Sequence, residues 1–196
     1  MSYRLTDRKD GRMSRIPKLT AIEVEAAVAA FYGIRETVMV PNVSWGLLEH
    51  EADMVIMKAS RWADEVEIKV SASDIKADLR KNRGRGHRRS PLIRKLWFAV
   101  PEHLADNPNI PVFAGILKIN EHGERVEVYR PAPINPSARK LTNNETYTLM
   151  RLGCMRIWSL KNAAISHIND KRYNATKAIC AAHNAALAAQ KGQSND

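Results

Sequence analysis

Two stretches decide the fold: Asp53-Met54-Val55-Ile56-Met57 and, after a polar interval, Glu65-Val66-Glu67-Ile68-Lys69-Val70. Both are short, apolar and rich in residues that suit a pleated, buried backbone, so both read as β-strands. In the second, Val66, Ile68 and Val70 fall on one face, and Glu65, Glu67 and Lys69 on the other. Two acids and a lysine on one face of a short strand are costly to bury unless something pairs them. A divalent metal held by Asp53 and Glu67, with Lys69 beside it, supplies that pairing and points to phosphodiester hydrolysis. The competing reading is an edge hairpin whose charged face is solvated and salt-bridged.

The flanking elements bear on that choice. Thr20-Ala21-Ile22-Glu23 has the form of a capping box and opens a helix expected to reach about Tyr32, with Gly33 as its stop. Val38-Met39-Val40 is expected as a short strand before a turn at Pro41-Asn42, and a second turn is expected from Ser60 to Asp64. Ser71-Ala72-Ser73-Asp74 can cap a second helix, which runs through Ala77 and Leu79. Leu96 to Val100 reads as a fully buried strand ended by Pro101. Val112 to Ile119 and Arg125 to Tyr129 read as a hairpin across Glu121-His122-Gly123.

The order is therefore α-β-β-β-α-β followed by a hairpin, an α/β arrangement. A helix between the Glu67 strand and the Leu96 strand lets these two run parallel at the sheet centre. Glu67 and Lys69 then belong to a central strand, and the edge-hairpin reading loses ground. Beyond Pro131, Pro133 and Pro136, which read as a linker, two helices are expected, from Leu141 to about Ser166 and from Lys171 to Gln190. Tyr147, Met150, Leu152, Met155, Trp158 and Ile165 suit packing onto the core or onto another subunit. The expected organisation is a basic flexible arm over 1–17, a core over 18–130, and the proline linker with C-terminal helices over 131–196.

The 196 residues hold 31 Lys and Arg against 21 Asp and Glu, a formal charge of +10. That excess favours a polyanionic partner, nucleic acid above all. It is concentrated between Lys76 and Lys95, where nine Lys and Arg face one acid, Asp78. Gly84 and Gly86 interleave Arg83, Arg85 and His87, with Arg88 and Arg89 following, a composition suited to wrapping a phosphate backbone and equally to a solvated loop. Arg151, Arg156 and Lys161 could extend such a track. Cys154 and Cys180 form no C-x-x-C pair, which argues against a thiolate zinc site and fits a reducing cytosol. No run of eighteen apolar residues is present, and Met1 to Arg15 lacks the apolar core of a signal peptide, so a cytoplasmic protein is expected, nucleoid-associated in a bacterium or in the host cytoplasm for a phage.

Glu51-Ala52-Asp53, Glu67-Ile68-Lys69-Val70-Ser71, Asp74, Ala77-Asp78 and Phe98-Ala99-Val100-Pro101 form an ordered series over residues 18 to 102. This series resembles the MmcB-like DNA-repair family of the PD-(D/E)XK, restriction-endonuclease-like nuclease superfamily; Asn82 to Pro91 departs from the family pattern. The resemblance implies an αβββαβ core, a mixed central sheet flanked by helices, with a C-terminal helical extension. It implies that Asp53 and Glu67, helped by the Ile68 carbonyl, ligate Mg²⁺ or Mn²⁺, oxygen donors being what such hard cations prefer. Lys69 would orient the attacking water or neutralise charge in the transition state.

A further acid from the first helix completes many such sites. Glu25 is expected to point inward, since it shares a face with Ile22, Ala26 and Ala29; an ordinary boundary glutamate is the alternative. Glu23 is assigned to the cap. His50, Ser71 and Asp74 are candidates for the surrounding shell. Against that, a lone histidine is commonly structural, and Ser71 and Asp74 are good helix-start residues in their own right. The implied activity is a metal-dependent deoxyribonuclease acting in DNA repair or in phage or mobile-element DNA processing, with DNA as partner and a homodimer if both strands are cut. A non-catalytic DNA-binding or repair-scaffold protein on the same fold is the alternative.

Overall fold

The computed structural model describes residues 18–43, 46–83 and 90–193, with side chains described outside 78–83 and 182–193. The arm over 1–17 therefore lies outside the described residues.

The Thr20 capping box forms as expected. The Thr20 hydroxyl accepts from the Glu23 N–H at 3.4 Å, and the Glu23 carboxylate accepts from the Thr20 N–H at 2.7 Å. They open α1 (Ala21–Tyr32), and Gly33, at φ 79°, closes it with its N–H on the Ala29 and Ala30 carbonyls. The face that α1 buries is Val24, Ala27 and Val28, not the Ile22–Ala26–Ala29 stripe; Ile22 is 78 % exposed. The two β-branched valines, one turn apart, bury more apolar surface than the alanines do, and this sets the helix rotation. Glu25 consequently sits on the shoulder of α1, part-buried.

Among the described residues six strands make one mixed sheet in chain order: β1 (Thr37–Val43), β2 (Ala52–Lys58), β3 (Ala63–Ile68), β4 (Ile93–Pro101), β5 (Gly115–Ile119) and β6 (Val126–Arg130). β1 runs on through Pro41 and Asn42 instead of turning there. As an edge strand it can carry a proline on its outward side without losing a ladder bond. β2 returns into β3 through a tighter turn than expected, with Arg61 at φ 64°, so Asp64 belongs to β3. β3 and β4 are parallel, with Glu67 opposite Phe98 and Ile68 opposite Ala99, and α2 (Ala72–Arg83) makes the crossover. β4 and β5 are also parallel, and β5 and β6 close an antiparallel hairpin. The protein is thus α/β, with the Glu67 strand inside the sheet.

The alternation in β3 and β4 divides the core. Val66, Trp97, Ala99, Leu117 and Ile119 pack against Val24 and Val28 of α1 on one face. On the other face, Phe98, Val100 and Ile116 pack on Ile75 of α2, while Val55 and Met57 pack on Leu141 and Leu149. The segment expected as a linker is tied down. Asn135 is buried, donating from its side-chain amide to the Ser90 and Ile93 carbonyls at 3.1 and 3.0 Å. The Leu141 N–H reaches the Arg61 carbonyl at 2.9 Å. After it, one helix replaces the two expected: α3 (Asn143–Gln193), opened by a second capping box in which Thr142 and Glu145 exchange hydrogen bonds. No proline or glycine lies between Ser166 and Lys171 to break it.

The chain divides into two compact units, the first ending at Gly153 and the second beginning at Cys154. The second is helical throughout its described length. Among the described residues no helix is long and apolar enough to cross a membrane.

Gly115 is the most closely packed of the described glycines. A Cβ built there would lie 2.4 Å from Trp97 Cε3 and 2.6 Å from both the Ala132 Cβ and backbone nitrogen. Gly115→Ala is expected to destabilise the protein by about 2–3 kcal/mol through overpacking, since the neighbouring backbone cannot give way. Urea unfolding of the two proteins checks this through the shift in midpoint.

Candidate functional site

The site begins where the β2–β3 ladder stops. β2 pairs with β3 up to Met54 opposite Val66, and the next pair in that register would be Asp53 opposite Glu67. On the other side, β1 pairs Pro41 with Met54 and Val43 with Ala52, passing over Asn42 and Asp53. Asn42, between those two pairs, has φ 51°. Beyond the last β2–β3 pair, the Asp53 side chain fills the gap between β2 and β3. Its Oδ2 accepts from the Ile68 N–H at 2.8 Å, a donor that the lapsed ladder would otherwise leave unpaired.

Lys69 joins the two acids. Its Nζ donates to Asp53 Oδ2 at 3.0 Å and to Glu67 Oε2 at 2.5 Å, while its backbone N–H stays on the sheet through the Ala99 carbonyl. Glu67 and Lys69 are each 9 % exposed, whereas 39 % of the Asp53 side chain is open to solvent. The cluster is therefore a buried ion pair with its mouth at Asp53. Burial pushes the Glu67 carboxyl up, to about 8; Lys69 opposes that rise, and Asp53 and Glu65 add to it. For Lys69, burial works against the charged form, but Glu67 and Asp53 outweigh it, and the ammonium is held charged above the usual lysine range. Burial also raises the Glu25 carboxyl, and the nearby Asp53 charge raises it further, so α1 brings Glu25 within electrostatic reach of the cluster.

The remaining candidates separate. His50 Nε2 lies 2.6 Å from Glu65 Oε1, with Glu65 buried and His50 part-buried. It thus pairs with the acid two residues before Glu67 on the same face of β3. The Ser71 hydroxyl accepts from the Asp74 N–H at 3.2 Å, so it caps α2, and Asp74 is exposed in the first turn. Both take the helix-start role. Arg83 ends α2 with its side chain outside the described residues, where Arg85, His87, Arg88 and Arg89 also lie. Arg151 and Lys161 are exposed on α3.

Two residues are not signalled by the sequence. Asn42 flanks Asp53 because the strand runs on where a Pro-Asn turn was expected, and nothing short of the strand pairing reveals this. Asp64 is 5 % exposed on the α1 face, at the other end of β3 from Ile68. Burial raises its carboxyl, against Lys58, Lys95 and Arg94, and both burial and Asp64 raise the Tyr32 phenol.

The donor set fits a hard cation in one respect: Asp53 and Glu67 already share a single cationic centre, the Lys69 ammonium. Glu25 and the Ile68 carbonyl would add oxygen donors of the right kind. In the present geometry, among the described residues, no three His, Cys, Asp or Glu side chains converge closely enough to hold a metal. Loading would therefore require the carboxylates to turn from Lys69 towards the ion.

Because the folded-state pKa of Glu67 lies above its unfolded value, the folded protein binds the extra proton between the two. Metal-free protein should therefore lose stability as pH rises from about 4.5 to about 8 at this one group, and gain it in the opposite direction. Glu67→Gln should flatten that slope and be the more stable protein at the alkaline end. Thermal unfolding in chelator across this pH range measures the difference; an unchanged slope in the variant would remove Glu67 as its source.

No family model and no curated protein matches the chain. Among solved structures, the fold is similar to that of the SPO1766 protein of unknown function from Silicibacter pomeroyi, with a TM-score of 0.55 at 17 % identity, over 75 % of this chain and 92 % of that one. The likeness is one of fold.

Proposed function

We propose that the chain is a metal-dependent DNA nuclease built on a restriction-endonuclease-like PD-(D/E)XK core, akin to the MmcB-like family, and that it works in DNA repair or in phage or mobile-element DNA processing. The observation that carries this reading is the convergence of Asp53, Glu67 and Lys69 at the gap between β2 and β3, buried and joined through one ammonium. The αβββα order ahead of the parallel β4 supports it, as does the basic stretch that follows α2. A deoxyribonuclease gains from both, one to hold the reacting phosphate and the other to neutralise its neighbours.

Asp53, Glu67 and the Ile68 carbonyl would hold Mg²⁺ or Mn²⁺, with Glu25 adding a donor from α1. A bound divalent ion would supply a lowered water pKa and charge stabilisation at the phosphoryl oxygens. Lys69 would orient the attacking water or neutralise the developing charge. Glu65 fixes His50 at the side of the cleft. Arg83, Arg85, His87, Arg88 and Arg89 track the DNA backbone, and cleavage leaves a 5′-phosphate and a 3′-hydroxyl.

A second reading is favoured by one specific observation, the engagement of Lys69 by both carboxylates together with the absence of a three-ligand cluster among the described residues. On that reading the ion pair is structural and the protein binds DNA without cutting it.

Labelled single-stranded, duplex and branched DNA, incubated with Mg²⁺ or Mn²⁺, separates the two. Cleavage should be metal-dependent, and Lys69→Ala should slow it by on the order of 10²–10³-fold. Asp53→Ala and Glu67→Ala should abolish it while sparing or strengthening metal-free DNA binding. Salt-sensitive binding with no cutting by any protein would establish the second reading. Replacing Arg83, Arg85, Arg88 and Arg89 together should weaken binding and flatten its salt dependence, by about 0.9 in log–log slope for each phosphate no longer neutralised.

A further inference from the structure

Past the first unit, α3 carries an apolar stripe that the proposed site does not use. Ile157, Lys161, Ala164, Ile168, Arg172, Ala175 and Ile179 follow one another at intervals of 4, 3, 4, 4, 3 and 4 residues. Eleven residues in three steps is close to the helical repeat, so these positions stay on one line along the helix. The whole stripe is exposed, with Ile157 at 54 %, Ile168 at 49 % and Ile179 at 70 %. Trp158 and Leu160, at 63 % and 69 %, flank it. A long helix with this much apolar surface in water gains stability from a partner more than from its own propensity.

The order of intervals reads the same in both directions from Ile168. A stripe of that kind is complementary to itself under a two-fold axis. We infer that α3 pairs antiparallel with α3 of a second copy of this chain, with the axis passing at Ile168. In this register Ile157 faces Ile179, Ile168 faces its own counterpart, Lys161 faces Ala175, and Arg172 faces Ala164. Each basic residue on the seam thus meets a methyl group, over which its alkyl stem lies while the charge reaches water. Flanking positions match in volume, Trp158 against Ala178 and Leu160 against Thr176. A parallel pairing in register would instead set Lys161 on Lys161 and Arg172 on Arg172 and crowd Trp158 against Trp158.

Charge also separates a second copy from other occupants. Between Ile157 and Ile179 there are four Lys or Arg and one acid, Asp170. Two such helices repel, so their association strengthens as salt screens them. An acidic partner helix or an anionic lipid surface would bind less tightly as salt rises.

Sedimentation velocity of the full-length protein, over a concentration series at low and high salt, tests the pairing. The expected result is a monomer–dimer equilibrium shifted towards dimer by salt. Ile168→Glu, which sets two carboxylates at the axis, should weaken it by roughly a hundredfold or more. Ala164→Glu should tighten it about five- to tenfold at low salt, since each new carboxylate faces Arg172 of the other copy. Far-UV circular dichroism establishes that each variant keeps its helix. A monomer at every concentration, a dimer indifferent to Ile168→Glu, or a dimer weakened by Ala164→Glu would overturn the proposal. So would a monomer that instead binds phosphatidylserine vesicles in a manner abolished by Ile168→Glu. The outcome does not depend on whether the protein cleaves DNA.

Discussion

Placing one ammonium and two carboxylates on an inner strand is the constraint around which the sheet is arranged. Desolvating any one of them alone would cost several kcal/mol, and breaking a buried pair leaves the survivor uncompensated. The fold meets the constraint by geometry. It ends the β2–β3 ladder at Met54 and Val66, so that Asp53 can turn into the gap and satisfy both the Ile68 N–H and Lys69. Lys69 thereby keeps its charge, while burial still works against the Glu67 carboxylate. The apolar faces above and below, Val66 with Ile68 and Phe98 with Val100, pack the strand interior, while the Asp53 side chain stays 39 % exposed.

Most of the frame is legible in the sequence because it rests on local rules. Alternation in Glu65 to Val70 gives the two faces of β3, the capping box at Thr20 gives the start of α1, and the intervening helix gives the parallel pairing of β3 with β4. The site is legible to the extent that it lies on one alternating strand, hence Glu67 and Lys69, with Asp53 supplied by the neighbouring run. Elements governed by distant contacts are not. Pro41 and Asn42 look like a turn until β2 is known to lie beside them. The residues around Pro133 look like a free linker, but the Asn135 amide is drawn in by carbonyls some forty residues earlier. The rotation of α1 follows from the contest between two valines and a row of alanines for one sheet face. A helix wheel drawn through the alanines therefore misplaces Glu25.

The two capping boxes illustrate how the same local device serves different ends. At Thr20 it fixes the start of the helix that carries Glu25 along the sheet. At Thr142 it fixes the start of α3 beside β2, where Glu145 also takes both guanidinium nitrogens of Arg139 at 2.7 and 2.8 Å. The Arg139 hydrogen bonds, helped by the Thr142 contacts and opposed by burial, lower the Glu145 carboxyl to about 2, so this anchor keeps its charge through the ordinary pH range.

The late docking of Leu141 and Leu149 has a consequence for biosynthesis. Both complete the cluster formed by Val55, Met57, Ala63 and Ile93, so one face of the first three strands stays uncovered while roughly the next eighty residues are being made. A ribosome-bound chain halted before Leu141 would expose that surface together with the β1 edge, both apolar and ready to pair with another nascent chain. The hydrogen bond between Leu141 and Arg61 is thus a closing step in the assembly of the sheet, made only when the tail of the first unit has left the exit tunnel.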